Sequence, residues 1–242
     1  MKDELHWFNT PTSWNERRKR SSYHWDNKVN DSESPMIWLN KVSLKGNWTH
    51  ELENAVYDQT VNCNMSKLLE RNSVQESLAL GLNPMLKSYR CLSTPEKQPI
   101  IHSMISNLGI EAAYVRIHKQ LPGDFNLLHM DTMSQNIHQE TNTDLDYDAI
   151  DDPHVDTVRV VVALNDWQWG HFFQLGNTIW HQWDAGDLVY WDWKNLPHST
   201  ANAGHVVRYA GIITGKPTPR FWELMNSKEK TPIILGQVAA SR

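Results

Sequence analysis

Two spacings of apolar residues divide this chain of 242 residues. From Asn47 to Leu108, apolar side chains recur in short segments at the spacing of amphipathic helices. From Glu111 onward, short β-branched and aromatic runs are separated by turn residues, which is typical of strands. The pattern therefore predicts a mainly β protein with a helical N-terminal part. Helices are predicted at 47–56, 66–69, 73–86 and 100–108.

The strand-like half of the chain contains six or seven short segments. Gly176-Asn177 is a two-residue hairpin signal, and Pro122-Gly123 marks another turn. Such a series predicts a double-stranded β-helix, that is, a jelly-roll or cupin-like double sheet. A β-sandwich without a central cavity is the alternative, but it leaves the polar residues within the strands unexplained. The strands are predicted at 112–117, 125–130, 157–164, 172–175, 178–183, 188–193 and 206–214.

The change of pattern also predicts three parts. Residues 1–110 are expected to form an N-terminal arm followed by a helical support. Residues 111–216 are expected to form the double-stranded β-helix core. Residues 217–242 are expected to form a C-terminal tail, which could pack, dimerise or cover a site. The oligomeric state stays open.

Composition narrows the classes of partner. The formal net charge is -5, so no overall basic field argues for nucleic acid. Two cysteines, Cys63 and Cys91, suggest reduced thiols in a cytoplasmic protein rather than a disulfide framework. No apolar stretch has membrane-spanning length, and the segment after Met1 does not resemble a secretory signal. A cytoplasmic protein without a membrane partner is expected.

Tryptophan is concentrated in one part of the strand region. Six of the 12 tryptophans lie between Trp167 and Trp193. We expect most of them to pack the two sheets and the helical support, while one or two could stack on a substrate.

His129 and Asp131 are the first candidate metal ligands. They lie two residues apart at the end of a predicted strand, and residues i and i+2 of a strand point to the same side. A histidine and a carboxylate are thus expected to reach into the same space. The tripeptide alone is weak evidence for a metal site. The apolar residues Phe125, Leu127 and Leu128 just before it strengthen that evidence, because a polar pair at the end of a buried strand needs a reason.

His198 and Arg208 complete the candidate site. Arg208 lies within the apolar run from Val206 to Ile213, where a guanidinium group requires an anionic partner. That anion could be the carboxylate of a ligand or of an internal Asp or Glu. Two histidines and one carboxylate can occupy one face of an Fe(II) ion and leave the opposite positions open.

These residues resemble the motif of the Fe(II)/2-oxoglutarate-dependent oxygenase superfamily. That motif consists of His-x-Asp/Glu, a distal His and an Arg about ten residues later. His129, Asp131, His198 and Arg208 match all four parts, and the resemblance covers about residues 111–216.

Within that superfamily the chain is similar to the aspartyl/asparaginyl hydroxylase-like branch, which includes free-amino-acid hydroxylases. Pro122-Gly123 before the first His, Arg159 on a middle strand, the segment 183–187, and Asn202 four residues after His198 all follow the branch pattern. Asp131 departs from the best-known animal enzymes of the branch, which lack the acidic ligand.

The resemblance implies both cofactors and site residues. Fe(II) would be bound by His129, Asp131 and His198, and the cosubstrates would be 2-oxoglutarate and O2. Arg208 would hold the distal carboxylate of 2-oxoglutarate. His118 occupies the position of a family cosubstrate contact with a different side-chain type, and Arg159 is a candidate for the inner carboxylate or for a substrate carboxylate. A structural salt bridge is the alternative for Arg159.

One residue of this motif lacks its usual neighbour. Many superfamily members carry a hydroxyl two residues after the arginine, where this chain has Ala210. A second anchor for the cosubstrate is therefore expected elsewhere.

The implied reaction is hydroxylation of an amino-acid side chain, in a peptide, a protein or a free amino acid, with release of succinate and CO2. Residues 132–156 contain seven acidic residues and no Lys or Arg, so they form either a solvated loop or a lid that favours a cationic or peptide-like substrate. Asp131 disfavours halogenation. The alternatives are a non-catalytic cupin-like module that binds a metal or small acid, and a Zn(II) hydrolase at the same residues.

Overall fold

The computed structural model describes residues 37–59, 89–129, 157–176, 178–193 and 196–235. The twelve strands are β1 Ile37–Lys45, β2 Asp58–Gln59, β3 Tyr89–Leu92, β4 Ile110–Gln120, β5 Phe125–His129, β6 Val158–Ala163, β7 His171–Leu175, β8 Thr178–Trp180, β9 Asp187–Trp191, β10 His198–Asn202, β11 Arg208–Pro217 and β12 Thr231–Ile234. The three helices are α1 Thr49–Glu53, α2 Pro99–Asn107 and α3 Pro219–Met225. No helix among these residues is long and apolar enough to cross a membrane.

The strands form two facing sheets. The large sheet has the order β12-β1-β9-β6-β11-β4-β3-β2, and the small sheet has the order β5-β10-β7-β8. From β4 to β11, the chain crosses repeatedly between the sheets, with β4, β6, β9 and β11 in the large sheet and the other four in the small one. This is the double-stranded β-helix predicted from the sequence, and the prediction is confirmed.

The large sheet is covered on both faces. Its outer face packs against the helices in a cluster, here called the outer core. The outer core includes Val115 and Ile117 of β4, Met104 of α2 and Phe221 of α3, all buried. Both faces of these strands therefore exclude water, which explains the near-continuous apolar run of β6.

The inner face of the large sheet packs against the small sheet in a second cluster, the inner core. Phe173 and Leu175 of β7 meet Val189 and Trp191 of β9 there. Four of the six tryptophans from Trp167 to Trp193 are buried in this cluster, whereas Trp169 is 82% exposed. Most of the tryptophans thus pack the two sheets, as expected.

Several strands lie outside the predicted set. β1 pairs with β9 and, in parallel, with β12, and β3 pairs with β4, so segments before residue 111 extend the large sheet. The helix predicted at 100–108 is confirmed as α2, and the one at 47–56 is present as the shorter α1. The helices predicted at 66–69 and 73–86 lie outside the described residues. The division of the chain at residue 111 stays a prediction.

One end of the barrel is sealed by hydrogen bonds around Asn202, and we call it the closed end. The buried Asn202 side chain donates to the carbonyl oxygens of Gln120 (2.9 Å) and Val206 (2.8 Å). Its backbone accepts a hydrogen bond from Gly123 N–H (2.7 Å) and donates one to Asp124 O (2.8 Å). The turn after β4 and the loop after β10 are therefore joined.

A glycine allows a second pair of loops to meet at this end. Gly170 has φ +91°, and a Cβ there would lie 2.3 Å from the backbone nitrogen of Gly204. Only glycine fits such an approach, so these loops pack backbone against backbone. The opposite end, where β5 finishes and β10 begins, is called the histidine end because His129 and His198 lie there.

Candidate functional site

Strand β4 presents three polar side chains to the barrel interior. Val115 and Ile117 belong to the outer core, whereas Tyr114 belongs to the inner core. Since successive side chains of a strand alternate between faces, Arg116, His118 and Gln120 lie on the inner face with Tyr114. An interior this polar must be matched by hydrogen bonds or by a ligand, because an unpaired buried polar group is costly.

The strand register arranges these side chains in successive rows across the large sheet, from the closed end toward the histidine end. Gln120 is opposite Arg208 in the first row, and His118 lies between Arg90 and Ala210 in the second. The third and fourth rows contain Leu92–Arg116–Ile212–Val161 and Tyr114–Thr214–Arg159.

Arg208 is buried in the first row, at 3% exposure. Its Nη1 donates to Oε1 of Gln120 at 2.7 Å, and its guanidinium carbon lies 5.4 Å from the centre of the Trp183 ring. Burial lowers the pKa of Arg208 to about 10, so the group is still protonated at neutral pH. Its buried Nε has no hydrogen-bond partner among the described residues.

Arg208 forms no structural salt bridge with the part of the chain that the structure describes. Within the described ranges, no Asp or Glu forms an ion pair with it. A planar guanidinium with a donor to spare can bind a carboxylate with two parallel hydrogen bonds. The geometry fits an anionic ligand inside the barrel.

Gln120 is a site residue that the sequence reasoning missed. Its amide nitrogen donates to Oγ1 of Thr200 at 2.9 Å while its oxygen accepts from Arg208, so it links the two sheets. Asn126 of β5 also donates to Thr200, at 3.2 Å. The signal in the sequence was the alternation of polar residues along β4, but the two partners of Gln120 depend on tertiary pairing.

His118 lies at the centre of a basic region. Burial, and then the positive charges of four arginines, hold the pKa of His118 well below its usual range, so the ring is neutral at physiological pH. The arginines are Arg90, Arg116, Arg159 and Arg208, in decreasing order of effect. The Nε2 atom of His118 is buried without a hydrogen-bond partner in the described part of the chain.

Position 210 is the direct cross-strand neighbour of His118. Ala210 is buried and carries no hydroxyl. The imidazole of His118 therefore lies next to the position at which many members of the resembled superfamily carry a serine or threonine. This arrangement fits the expectation that a second anchor for the cosubstrate comes from elsewhere. The role of His118 as that anchor stays a prediction.

Arg159 is half-buried on β6, opposite Thr214. It lies toward the histidine end, and it is close enough to His118 to lower the pKa of that ring. Arg90 and Arg116, which the sequence reasoning did not select, act on the same histidine more strongly. A sequence signal existed for Arg116, at i−2 from His118 on a strand, but Arg90 required knowledge that β3 joins β4.

His198 and His129 are direct partners in the small sheet. His198 of β10 pairs with His129 of β5, and the register then shifts, since Thr200 pairs with Asn126. Two residues of β10 therefore span three of β5, which is a β-bulge. Direct cross-strand partners share a face of the sheet, so the bulge sets which face position 129 belongs to.

Aromatic rings fix His198 at the histidine end. Its ring is 6% exposed and meets Trp191 and Phe173 edge-on, with centroids 5.0 and 5.6 Å away. Apolar packing of this kind limits the orientations of an imidazole and keeps water from it.

The third predicted ligand, Asp131, lies outside the described residues, as does the acidic segment 132–156. The side chain of His129 is likewise not described. Within the described residues no group of three or more His, Cys, Asp or Glu side chains could hold a metal ion. The metal-binding roles of His129, Asp131 and His198 therefore stay predictions.

No protein-family model matches the chain. No curated protein sequence matches it either.

Solved structures with related folds do exist. A prolyl-4-hydroxylase from Pseudomonas putida is 16% identical, with 71% of this chain and 97% of that one covered and a TM-score of 0.36. A 2OG-Fe(II) oxygenase family oxidoreductase from Burkholderia pseudomallei is 13% identical, with 55% and 70% covered and a TM-score of 0.35. A cupin 2 conserved barrel domain protein from Rhodopseudomonas palustris is 13% identical, with 55% and 69% covered and a TM-score of 0.32.

Proposed function

We propose that this chain is an Fe(II)/2-oxoglutarate-dependent dioxygenase that hydroxylates an amino-acid side chain, protein-bound or free. The observation that carries the proposal is the buried Arg208, a cation without an ion-pair partner among the described residues, inside a barrel whose small sheet pairs His198 with position 129. A dicarboxylate cosubstrate would supply the missing anion.

The side-chain types of the three proposed ligands suit the metal that this function needs. His198 and His129 would be two of the ligands and Asp131 the third, a set that leaves open coordination positions on iron. The fit is supported by the register of the two histidine positions and by the dry aromatic surroundings of His198. Iron bound there, with 2-oxoglutarate and O2, would supply the oxidative chemistry that yields succinate, CO2 and a hydroxylated product.

The protein residues bind and orient the cosubstrate. Arg208 would hold its distal carboxylate with Nε and a second nitrogen, while Gln120 fixes the plane of the guanidinium from the side. His118 is neutral and buried beside this position, so its ring N–H can donate a hydrogen bond to a carboxylate without adding a positive charge. Arg159 is a candidate for the inner carboxylate or for the substrate.

Other expectations from the sequence belong to the same proposal. The partner would be an amino acid, a peptide or a protein rather than nucleic acid or a membrane, and the location would be cytoplasmic. The acidic segment 132–156 follows a proposed iron ligand in the sequence and would form either a solvated loop or a lid over the substrate.

The test is anaerobic loading of the full chain with Fe(II), then addition of 2-oxoglutarate and O2 with succinate as the readout. We expect succinate formation, and a loss of about 100-fold or more for His198→Ala because a metal ligand is removed. His181→Ala is the matched control, because His181 is exposed and lies outside the barrel interior, so we expect it to retain activity.

Three outcomes would contradict the proposal. Turnover without O2 or 2-oxoglutarate would favour a Zn(II) hydrolase. Ligand binding without succinate, together with indifference to Arg208→Ala, would favour a non-catalytic cupin-like module. Failure to bind either metal or 2-oxoglutarate would remove the basis for both this proposal and its rivals.

A further inference from the structure

Arg208 is held in place by residues that lie far from it in sequence. Its guanidinium lies over the ring of Trp183, a side chain that is 2% exposed, and Gln120 accepts a hydrogen bond from its Nη1. A cation is attracted to an aromatic face, and the attraction grows when both groups are removed from water. The guanidinium is therefore restrained by a hydrogen bond from one side and by an aromatic surface from another.

The ring of Trp183 is itself fixed. Its Nε1 donates to the carbonyl oxygen of Asn165 at 3.1 Å, and its own carbonyl oxygen accepts from the backbone N–H of Trp167 at 3.0 Å. The ring also packs against that of Trp180, with centroids 4.6 Å apart. Trp183 thus offers Arg208 a surface with one orientation.

Asn165 fixes the backbone on both sides of Arg208. Its amide nitrogen donates to the carbonyl oxygen of Val207 at 2.9 Å, and its Oδ1 accepts from the backbone N–H of Tyr209 at 2.8 Å. The side chain of Asn165 holds the beginning of β11 in this way where the neighbouring strand β6 has already ended. Since its carbonyl oxygen also holds Trp183, Asn165 connects the backbone of Arg208 with the ring that its guanidinium contacts.

A guanidinium that cannot move discriminates between dicarboxylates by their length. In the proposed function the keto acid end of 2-oxoglutarate lies at the metal position while the distal carboxylate reaches Arg208. One additional methylene group lengthens the dicarboxylate by up to about 1.5 Å, the length of a carbon–carbon bond. A fixed arginine cannot follow this change, and displacements of about 1 Å are costly in sites that depend on position.

We propose that Trp183 and Asn165 are positioning residues that fix Arg208, and that they thereby select 2-oxoglutarate over a 2-oxo dicarboxylate that is one methylene longer. This rests on the proposed function, in which Arg208 binds the distal carboxylate. Both residues act through Arg208, and their contacts reduce the conformational freedom that it loses when the carboxylate binds. If the two residues only packed the fold, their loss would lower stability and leave the selectivity unchanged.

The test compares 2-oxoglutarate with 2-oxoadipate, its homologue with one more methylene. The full chain is held without O2 and loaded with Mn(II), a redox-inactive replacement for iron, and both Kd values are measured by calorimetric titration. We expect the parent chain to bind 2-oxoglutarate about tenfold or more tightly than 2-oxoadipate. The ratio of the two Kd values is the readout, because a general loss of stability does not change it.

Variants of Trp183 separate its aromatic face from its volume. Trp183→Leu should weaken 2-oxoglutarate binding by about fivefold or more and bring the ratio to about threefold or less, because the released guanidinium can follow a carboxylate at another distance. Trp183→Phe keeps an aromatic ring beside Arg208 and should retain most of the selectivity. Trp183→Phe that loses as much as Trp183→Leu would show that the aromatic face does not hold Arg208.

Trp48→Leu is the matched control for the loss of a buried indole. Trp48 belongs to the outer core, and its Nε1 donates to the carbonyl oxygen of Leu164, the residue before Asn165, at 2.8 Å. The substitution removes the same side chain and the same kind of hydrogen bond on the other face of the sheet. We expect the melting temperature to fall, while the ratio of Kd values stays within about twofold of the parent value.

Asn165→Ala tests the inference without opening the core. Asn165 is only half-buried, so the variant is expected to fold, and it decides the outcome if Trp183→Leu does not melt cooperatively. The substitution releases the backbone on both sides of Arg208, and the ratio should narrow in the same direction as in Trp183→Leu.

Several results overturn the inference and leave the proposed function standing. Equal binding of the two dicarboxylates by the parent chain would show that Arg208 does not discriminate by length. A ratio that stays unchanged in Trp183→Leu or in Asn165→Ala removes the residue concerned, and a ratio that narrows equally in Trp48→Leu assigns the effect to general packing. Failure of the parent chain to bind 2-oxoglutarate overturns the proposed function and this inference together.

Discussion

The two faces of strand β4 have opposite chemistry. Val115 and Ile117 point to the outer core and are fully buried among apolar side chains. Arg116 and His118, between and beside them in sequence, point into the barrel. The odd-numbered positions 115 and 117 therefore pack the outer core, while the even-numbered positions 116 and 118 place polar groups on the inner face.

The difference shows where this fold gains stability and where it loses some. Apolar burial on the outer face stabilises the sheet roughly in proportion to the area removed from water. Polar groups on the inner face that are buried without partners among the described residues oppose folding, and apolar burial on the outer face compensates for them. The apolar burial on the helix-covered outer face thus offsets part of the cost of the polar interior.

The largest effect on stability is expected from the outer face. Ile117→Ala should lower the free energy of unfolding by about 2–5 kcal/mol, because it removes a fully buried side chain and leaves a cavity. Urea unfolding measures the change, and the folded variant should still bind 2-oxoglutarate.

The inner face provides the matched comparison. Tyr114→Phe removes a buried hydroxyl that has no partner among the described residues, so we expect a change within about 1 kcal/mol. If the two substitutions destabilise the protein equally, the proposed division between the faces is wrong.

Gln120→Glu is expected to change stability less than Ile117→Ala does, and in the opposite direction. The new carboxylate would pair with Arg208 at the position where Gln120 now bonds to it, and would compete with a dicarboxylate. The affinity for 2-oxoglutarate should fall by about tenfold or more, while the melting temperature is kept or raised. Calorimetric titration and thermal denaturation measure the two quantities.

Gln174→Glu controls for the added charge. Gln174 lies on β7 and bonds to Ser199 rather than to Arg208, so the affinity for 2-oxoglutarate should stay within about twofold. Unchanged affinity in Gln120→Glu would show that Arg208 does not bind the cosubstrate.

The smallest effect is a pH dependence of stability. The pKa of His118 is well below its usual value in the folded chain and about 6.5 in the unfolded chain. Between these values the unfolded state binds more protons, so stability is full above about pH 6.5 and falls as the pH decreases below it. The slope for one histidine is at most about 1.4 kcal/mol per pH unit. Burial also lowers the pKa of His171, so this residue contributes a pH dependence of the same sign.

His118→Gln separates the two histidines. Melting temperatures measured from pH 8 to pH 5 should fall less steeply in this variant than in the parent chain. Identical slopes would mean that His118 is accessible to protons in the folded state.

The sequence predicted the parts of the fold that carry local signals. Residues 112–117 and 157–164 combine β-branched residues with turns on either side, and they are strands β4 and β6. The strand β10, with the sequence His-Ser-Thr-Ala-Asn, has no apolar alternation and was not predicted. Its pairing with both β5 and β7 stabilises it, which no local pattern can indicate.

The candidate site was predictable to a similar extent. Arg208 was selected because a guanidinium stood in an apolar run, and the structure shows it buried. Gln120 was missed because its importance arises from Arg208 on one neighbouring strand and Thr200 on the other sheet. Arg90 was missed because a short strand such as β3 is recognisable only through its pairing with β4. Contacts between residues far apart in sequence are set by topology, and the local pattern does not contain them.

The pairing of β1 has a consequence for how the chain is made. Its two neighbours in the sheet are β9, which ends at Trp191, and β12, which ends at Ile234. During synthesis β1 is complete more than a hundred residues before either partner leaves the ribosome. Until those later strands are made, the backbone hydrogen-bonding groups of β1 have no strand partner, and the side chains of Val42 and Leu44 are not yet buried. Pairing strands that are far apart in sequence requires the closure of long loops, which loses chain entropy before the new contacts form. This chain is therefore expected to fold slowly, and to be most prone to aggregation before its last strand is added.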